Sequence, residues 1–136
     1  MSGALMLTRD YLRTRRQYGT TLSTLQALQH RMAEMFAETE LSRSLLHAGL
    51  AFLDGDDTAS PRQAQGYVAA VKLQIGASGN FVGATGLQMH GGMGMTEEHP
   101  IGHYFRKLKV LESLFGYPAF HSRRYANFLF PTGIGI

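Results

Sequence analysis

Residues 88–98 combine glycines with polar side chains in a way that suits ligand binding. The stretch reads Gln88, Met89, His90, Gly91, Gly92, Met93, Gly94, Met95, Thr96, Glu97 and Glu98. Its three glycines leave backbone N–H groups open to a ligand, because no side chain stands in the way. Thr96 supplies a hydroxyl of the kind that starts a helix. A glycine-rich turn between helices serves either close chain packing or anion and cofactor binding, and composition leaves both open.

Other chemistries near this stretch fail on spacing. His99 and His103 lie four residues apart, and one helix face could bring both to a metal. A zinc protease would need His-Glu-x-x-His, and a helical di-iron site would need Glu-x-x-His on two helices. The sequence contains neither motif. No Gly-Lys-Ser/Thr follows the glycines and no strand is predicted before them, which excludes a phosphate loop and a dinucleotide fingerprint. The sequence therefore predicts no metal site.

The elements that position these residues are helices throughout. Apolar residues recur at three- and four-residue spacing, which is typical of amphipathic helices. The first predicted helix covers residues 4–16. A long second helix is broken at 54–57, and a third ends near residue 89. Two shorter helices cover 100–114 and 118–128. Two starts carry capping-box spacing, one at Ser23 and Gln26 and one at Ser60 and Gln63. The second box also has Pro61 at its first helical position, which favours a helix start.

The two long helices determine the predicted fold class. Each approaches thirty residues and spans about 45 Å, so each must bury its apolar stripe against neighbours. Short connections make neighbouring helices antiparallel. We therefore predict an all-α fold: an antiparallel up-down four-helix bundle with a short extra C-terminal helix. Glycines along the third helix favour close contact with other helices, within one chain or between subunits.

Composition sets further limits. A chain of 136 residues with 44% hydrophobic residues suits one folded domain. It has no apolar run of membrane-spanning length, so no membrane insertion is predicted. The absence of cysteine excludes disulfides and fits a reducing compartment, which leads to a cytoplasmic prediction. The net charge of +3 fits scattered, solvated Lys and Arg better than a nucleic-acid surface.

The order of residues in the glycine-rich stretch resembles the flavin-binding signature of the acyl-CoA dehydrogenases, Gln-x-His-Gly-Gly-x-Gly-x-Thr-x-Glu. Residues 15–19 resemble that family's Arg-x-Gln-Phe-Gly motif, with Tyr18 in place of Phe. Residues 25–35 and 99–106 resemble the segments that follow the two motifs. The resemblance covers nearly the whole chain in the family's order. It implies the family's C-terminal helical domain over residues 1–129, followed by a loose tail at 130–136.

The resemblance also implies FAD as cofactor and a set of contact positions. In the family, the motif arginine, here Arg15, holds the pyrophosphate side of the flavin dinucleotide. The glycine-rich segment embraces the adenosine half of a flavin bound mainly by a neighbouring subunit. We therefore expect a homo-oligomer (dimer or tetramer) or a hetero-oligomer with a related subunit. The implied cofactor contacts are Arg15, Gln17, Gln26, Gln88, Met89, His90, Gly91 and Gly92. For Gln26 the capping box is a competing role.

One family position departs from the pattern. Most acyl-CoA dehydrogenases carry a catalytic glutamate downstream of the glycine loop, and counting without gaps places Phe115 there. A phenyl ring cannot remove a proton. Glu112, one helical turn earlier, is a poor substitute because proton abstraction tolerates little misplacement. The catalytic base is therefore unknown.

The resemblance implies oxidation of an acyl-CoA at Cα–Cβ, with FAD as the acceptor. The family's flavin ring and acyl-CoA sites need an N-terminal helical domain and a middle β-domain, which 136 residues cannot contain. We expect a C-terminal piece, or a short gene product, that is inactive by itself. The alternative is a non-catalytic helical interaction subunit that pairs with a catalytic acyl-CoA dehydrogenase. The substrate's identity cannot be read from this segment.

Overall fold

Five α-helices make up most of the part of the chain that the structure describes. The structure is a computed structural model that describes residues 1–55 and 60–131. In chain order the elements are α1 (Ser2–Thr14), β1 (Arg16–Gln17), β2 (Thr20–Thr21), a 3₁₀ turn (Leu22–Thr24), α2 (Gln26–Gly55), α3 (Pro61–His90), a second 3₁₀ turn (Gly91–Met95), α4 (Pro100–Ser113) and α5 (Pro118–Leu129). The predicted all-α class is confirmed. Most of the predicted tail, residues 132–136, lies outside the described residues.

A short hairpin follows α1 where the sequence predicted two more residues of helix. β1 and β2 pair antiparallel, with Arg16 opposite Thr21 and Gln17 opposite Thr20. Tyr18 and Gly19 form the turn with φ of 54° and 79°. Two successive positive φ values match the twist of a two-residue hairpin. The hairpin directs the chain after α1 back toward the start of α2.

The two predicted capping boxes have different outcomes. At Ser60 the box is confirmed, because its hydroxyl accepts from the Gln63 N–H at 3.3 Å and the Gln63 amide oxygen accepts from the Ser60 N–H at 2.9 Å. At Ser23 it is wrong. Ser23 lies inside a 3₁₀ turn, its hydroxyl contacts Thr21 Oγ1 at 3.3 Å, and α2 begins three residues later. The Gln29 amide donates to the Ser23 carbonyl instead, at 2.9 Å.

The start of α4 also differs from expectation. The Thr96 hydroxyl donates back to the Met93 carbonyl at 2.9 Å, so it closes the 3₁₀ turn and does not begin a helix. His99 is the N-cap of α4, and its Nδ1 accepts from the Ile101 N–H at 3.3 Å. The His99 imidazole therefore caps the helix, a role that we expected for the Thr96 hydroxyl.

Helix α3 is the central element and packs against each of the other helices. Its small residues allow this, as the sequence predicted. A Cβ at Gly79 or Gly83 would lie 3.2–3.3 Å from Leu108 of α4, and one at Gly66 would overlap the ring of Phe128 on α5. The core near the other end of α3 contains Met35, Val82 and Ile101, all fully buried. Among the described helices, none is both long and apolar enough to cross a membrane.

Candidate functional site

A groove beside the C-terminal end of α3 brings together residues of the arginine motif (15–19) and of the glycine-rich stretch (88–98). Its volume is about 570 Å³. The walls come from α1, the hairpin, the start of α2 and the turn after α3. The lining residues are Tyr11, Arg15, Gln17, Tyr18, Leu22, Leu25, Ala27, Leu28, Gln88, Met89, His90, Gly91, Gly92 and Met93. Seven of the eight predicted cofactor-contact residues are among them. These segments therefore meet within one chain.

Arg15 and Gln17 form one side of this groove. Arg15 is the C-cap of α1, with its N–H bonded to the Tyr11 carbonyl at 2.8 Å, and its side chain is exposed. It forms no ion pair with any residue in 1–55 or 60–131. A guanidinium held at a helix end without a carboxylate partner is suited to bind an anion with bidentate geometry.

The glycines on the opposite side of the groove serve two different purposes. Gly91 adopts φ 60° and ψ −143°, a backbone conformation that residues with a Cβ adopt only at a cost. A Cβ at Gly91 or Gly92 would meet nothing within 4 Å, so their backbone is open to a ligand. Gly94 is different, because its Cβ would lie 2.8 Å from the Leu87 carbonyl oxygen. The structure therefore has close packing at Gly94 and exposed backbone at Gly91 and Gly92.

His90 is buried beneath this turn, with 2% of its surface exposed. Its Nδ1 lies 2.8 Å from the Gly86 carbonyl oxygen, which can only accept, so Nδ1 carries the proton. Nε2 is buried without a hydrogen-bond partner among the described residues. Burial lowers the pKa of His90 below its ordinary value, the Gly86 hydrogen bond opposes this shift, and the nearby His99 adds to it. This geometry supports a neutral imidazole that holds the turn in place.

Tyr11 is a groove residue that the sequence reasoning missed. Its ring stacks on His90, and its hydroxyl donates to the His90 carbonyl at 3.4 Å and lies 4.0 Å from the Met93 sulfur. Tyr11 precedes Arg15 by four residues, and this spacing places both on one helix face. The four-residue spacing from Arg15 could therefore have identified Tyr11 as a groove residue from the sequence.

Gln26 is the predicted contact that the groove does not include. It is exposed at the first position of α2, between Leu25 and Ala27, which do line the groove. Its proposed role in a capping box is also excluded by the geometry at Ser23.

The two candidates for the base position lie away from the groove. Glu112 receives a hydrogen bond from the Asn80 amide and lies 3.7 Å from Lys109 Nζ. Asn80 and Gln88 are about 12 Å apart along α3 at 1.5 Å per residue. Phe115 lies in the turn between α4 and α5, with φ 63° and 87% of its surface exposed. The carboxylate of Glu112 is thus engaged at the α3–α4 contact.

The groove suits one half of a dinucleotide. It offers the Arg15 guanidinium, which has no carboxylate partner within residues 1–55 and 60–131, amides from Gln17 and Gln88, and side-chain-free backbone at Gly91 and Gly92. Phosphate oxygens bind such donors, while apolar walls such as Leu28 and Met89 suit the flat face of a base. The residues present therefore fit an adenosine–pyrophosphate group.

Comparison with known proteins identifies the family of this chain. The family described as "Acyl-CoA dehydrogenase, C-terminal domain" matches residues 1–129. Acyl-CoA dehydrogenase IpdE2 of Mycolicibacterium smegmatis is 32% identical over 123 residues, which are 90% of this chain and 36% of that protein. The chain belongs to the acyl-CoA dehydrogenase family and corresponds to its C-terminal domain.

Solved structures share the fold. The Tcur3481–Tcur3483 steroid ACAD, in a variant form, has a TM-score of 0.83 at 30% identity, covering 94% of this chain and 34% of that one. The ChsE4–ChsE5 complex from Mycobacterium tuberculosis has a TM-score of 0.86 at 26% identity, covering 97% of this chain and 35% of that one. The chain therefore spans about a third of the length of these relatives.

Proposed function

We propose that this chain is the FAD-contacting, subunit-joining C-terminal domain of an acyl-CoA dehydrogenase. The observation that carries the proposal is the single groove formed by Arg15, Gln17 and the segment Gln88–Gly92. The two motifs are far apart in sequence and line the same groove, which is the arrangement that a ligand contacting both of them requires. Family membership supplies the ligand class, a flavin dinucleotide.

Each groove residue has a defined task in this proposal. Arg15 holds a pyrophosphate oxygen pair, because its guanidinium is permanently charged and free of carboxylates in the described structure. Gly91 and Gly92 let their backbone approach the adenosine half closely. Gln17 and Gln88 add amide donors that fix its orientation. FAD, when bound in the complete enzyme, supplies the acceptor for the hydride that leaves the acyl-CoA Cβ.

The isolated chain should lack dehydrogenase activity. Dehydrogenation needs a base at the α-proton, and the family's base position here is Phe115. Replacing Phe115 with Glu should not create activity, because orienting the thioester and polarising its carbonyl would fall to other parts of the enzyme. Transfer of electrons from any acyl-CoA to an artificial acceptor by the isolated F115E chain would contradict this.

Titration with ADP, the adenosine–pyrophosphate part of FAD, tests the groove. We expect saturable shifts of the Gly91 and Gly92 amide signals in nuclear magnetic resonance spectra. Arg15→Gln should weaken binding by about 10-fold or more, because a charge-assisted hydrogen bond contributes about 1.5–3 kcal/mol. Arg13→Gln is the matched control, since Arg13 is exposed on the same helix and does not line the groove. Equal losses in both variants would refute the assignment.

A second candidate function, a non-catalytic interaction subunit, is favoured by an apolar surface between α2 and α3. This surface forms a recess of about 290 Å³ that includes Leu46, Leu50, Leu53, Val68 and Ile75. Exposed apolar area of this kind is typical of protein contacts. Sedimentation equilibrium should show a homo-oligomer or a mixed oligomer with a catalytic relative, and Leu50→Lys should shift it toward monomer. A monodisperse monomer at micromolar concentration would rule out self-association.

A further inference from the structure

A small recess at the opposite end of α3 from the groove is lined by positive charge. Its volume is about 140 Å³, and its lining residues are Arg62, Gln65, Gly66, Arg124, Asn127 and Phe128. Arg62 and Gln88 are about 39 Å apart along α3 at 1.5 Å per residue. The recess is therefore a separate feature, and nothing in the proposed flavin contact uses it.

The spacing of the lining residues explains how the recess forms. On each helix they sit at positions i, i+3 and i+4, which places them on one face. Gly66 allows the two faces to approach, because the ring of Phe128 occupies the space where a Cβ would be. The contact leaves an apolar floor with polar side chains around its edge.

Both arginines are held in position by contacts with α5. Arg62 Nη2 donates to the carbonyl oxygens of Asn127 at 2.9 Å and Phe128 at 3.3 Å. The Arg124 guanidinium carbon lies 5.3 Å from the centroid of the Phe120 ring, a cation–π distance. These contacts reduce the side-chain freedom that anion binding would otherwise have to restrict.

The donors around the recess are only partly used. Arg62 uses one of its two terminal nitrogens on α5, and Arg124 makes no hydrogen bond within residues 1–55 and 60–131. Among the residues that the structure describes, no carboxylate lines the recess. By contrast, Arg31, Arg43 and Arg106 each lie within 3.3 Å of a glutamate oxygen. The pair Arg62 and Arg124 thus presents two fixed positive charges to one cavity.

We propose that this recess binds the phosphate group of a small phosphomonoester, with Arg62 and Arg124 as its two cationic ligands. A dianionic phosphate offers enough oxygens to accept from both guanidiniums, and the Gln65 and Asn127 amides can complete its shell. The volume is below the roughly 300–1,000 Å³ of pockets that enclose whole ligands. The recess therefore takes the phosphate group, while the rest of the ligand lies on the surface.

Side-chain nuclear magnetic resonance of the full chain tests the proposal. Inorganic phosphate and methyl phosphate are titrated against sodium chloride at matched ionic strength, and the arginine Nε–Hε signals are followed. We expect saturable shifts at Arg62 and Arg124 with half-saturation at about 1 mM or below. Methyl phosphate should bind at least as tightly as inorganic phosphate. Saturation by inorganic phosphate alone would contradict the monoester assignment, and linear shifts would overturn the site.

Matched variants complete the test. Arg124→Gln should weaken phosphate binding by about 10-fold or more, whereas Arg123→Gln should leave it within about 2-fold. Arg123 is exposed on the same helix and does not line the recess. Because Arg62 also holds the end of α5, Arg124→Gln is the deciding variant. Equal losses of phosphate binding in Arg123→Gln and Arg124→Gln would show general charge attraction and overturn the proposal. This outcome does not depend on whether ADP binds in the groove beside Arg15.

Discussion

The ring of Tyr11 stacks on the ring of His90, with centroids 4.4 Å apart and planes inclined by 26°. This contact joins α1, which carries Arg15, to the end of α3, which carries the glycine turn. His90 also meets His99 at 4.7 Å, so three rings from three elements support one side of the groove. The two motifs are thus held together by packing beneath the groove.

Replacing Tyr11 should separate the contributions of its ring and its hydroxyl. Tyr11→Leu removes the stack and should lower the free energy of unfolding by about 1–2 kcal/mol. Tyr11→Phe keeps the stack and should lower it by less than about 0.5 kcal/mol, because the hydroxyl's hydrogen bond is long. Urea denaturation measures both. Equal destabilisation by the two variants would assign the main role to the hydroxyl.

Stability should depend on pH through His90. Its pKa is lowered in the folded state, chiefly by burial, so the unfolded chain binds more protons. Its contribution is therefore complete above the unfolded pKa of about 6.5 and is lost as pH falls toward the lower folded value. The slope is limited to one proton, about 1.4 kcal/mol per pH unit. Urea denaturation from pH 7.5 to 5 should show a smaller slope in His90→Gln.

Gly91 and Gly92 should differ when each is changed to alanine. Gly91→Ala places a Cβ at φ 60° and should cost about 1–3 kcal/mol of stability. Gly92 has the same open space around it but no positive φ, so Gly92→Ala should leave the unfolding free energy within about 0.5 kcal/mol. Thermal unfolding distinguishes them. Identical midpoints would show that the backbone at residue 91 adapts freely.

Gly66 and Gly76 provide a second matched pair on α3. Gly66→Ala introduces a Cβ into the ring of Phe128 and should destabilise by about 1–3 kcal/mol. Gly76→Ala meets only Glu112 Cγ at 3.5 Å, an ordinary contact, and should stabilise by up to about 1 kcal/mol through helix propensity. Urea denaturation gives both values. Rescue of Gly66→Ala by Phe128→Leu would confirm the overlap, and destabilisation by Gly76→Ala would contradict this account.

Sequence reasoning succeeded where covalent geometry decides the structure. Pro61, Pro100 and Pro118 each begin a helix, as predicted, because proline fixes φ near the helical value and lacks the N–H that the first turn cannot use. The capping box predicted at Ser23 is wrong because the residues before Ser23 determine its conformation. The hairpin leads directly into a 3₁₀ turn that encloses Ser23, so its hydroxyl cannot reach the first turn of α2.

The groove could be only partly predicted. Family motifs identified Arg15 and Gln88, but their proximity depends on how α1 packs against α3, which no local pattern contains. For the same reason Tyr11 was missed, although it lies one turn before Arg15. The different purposes of Gly91 and Gly94 also depend on tertiary surroundings, since Gly94 faces the Leu87 carbonyl and Gly91 faces open space.

The methionines near the groove make it sensitive to oxidants. With no cysteine in the chain, the seven methionines are its only oxidisable sulfur atoms. Met93 lines the groove with 47% of its surface exposed, and Met95, two residues on, is 75% exposed. Peroxide converts a thioether into a polar sulfoxide, and at Met93 the new oxygen would lie beside the Tyr11 hydroxyl. Oxidation should therefore alter the surface of the groove before it alters the buried core.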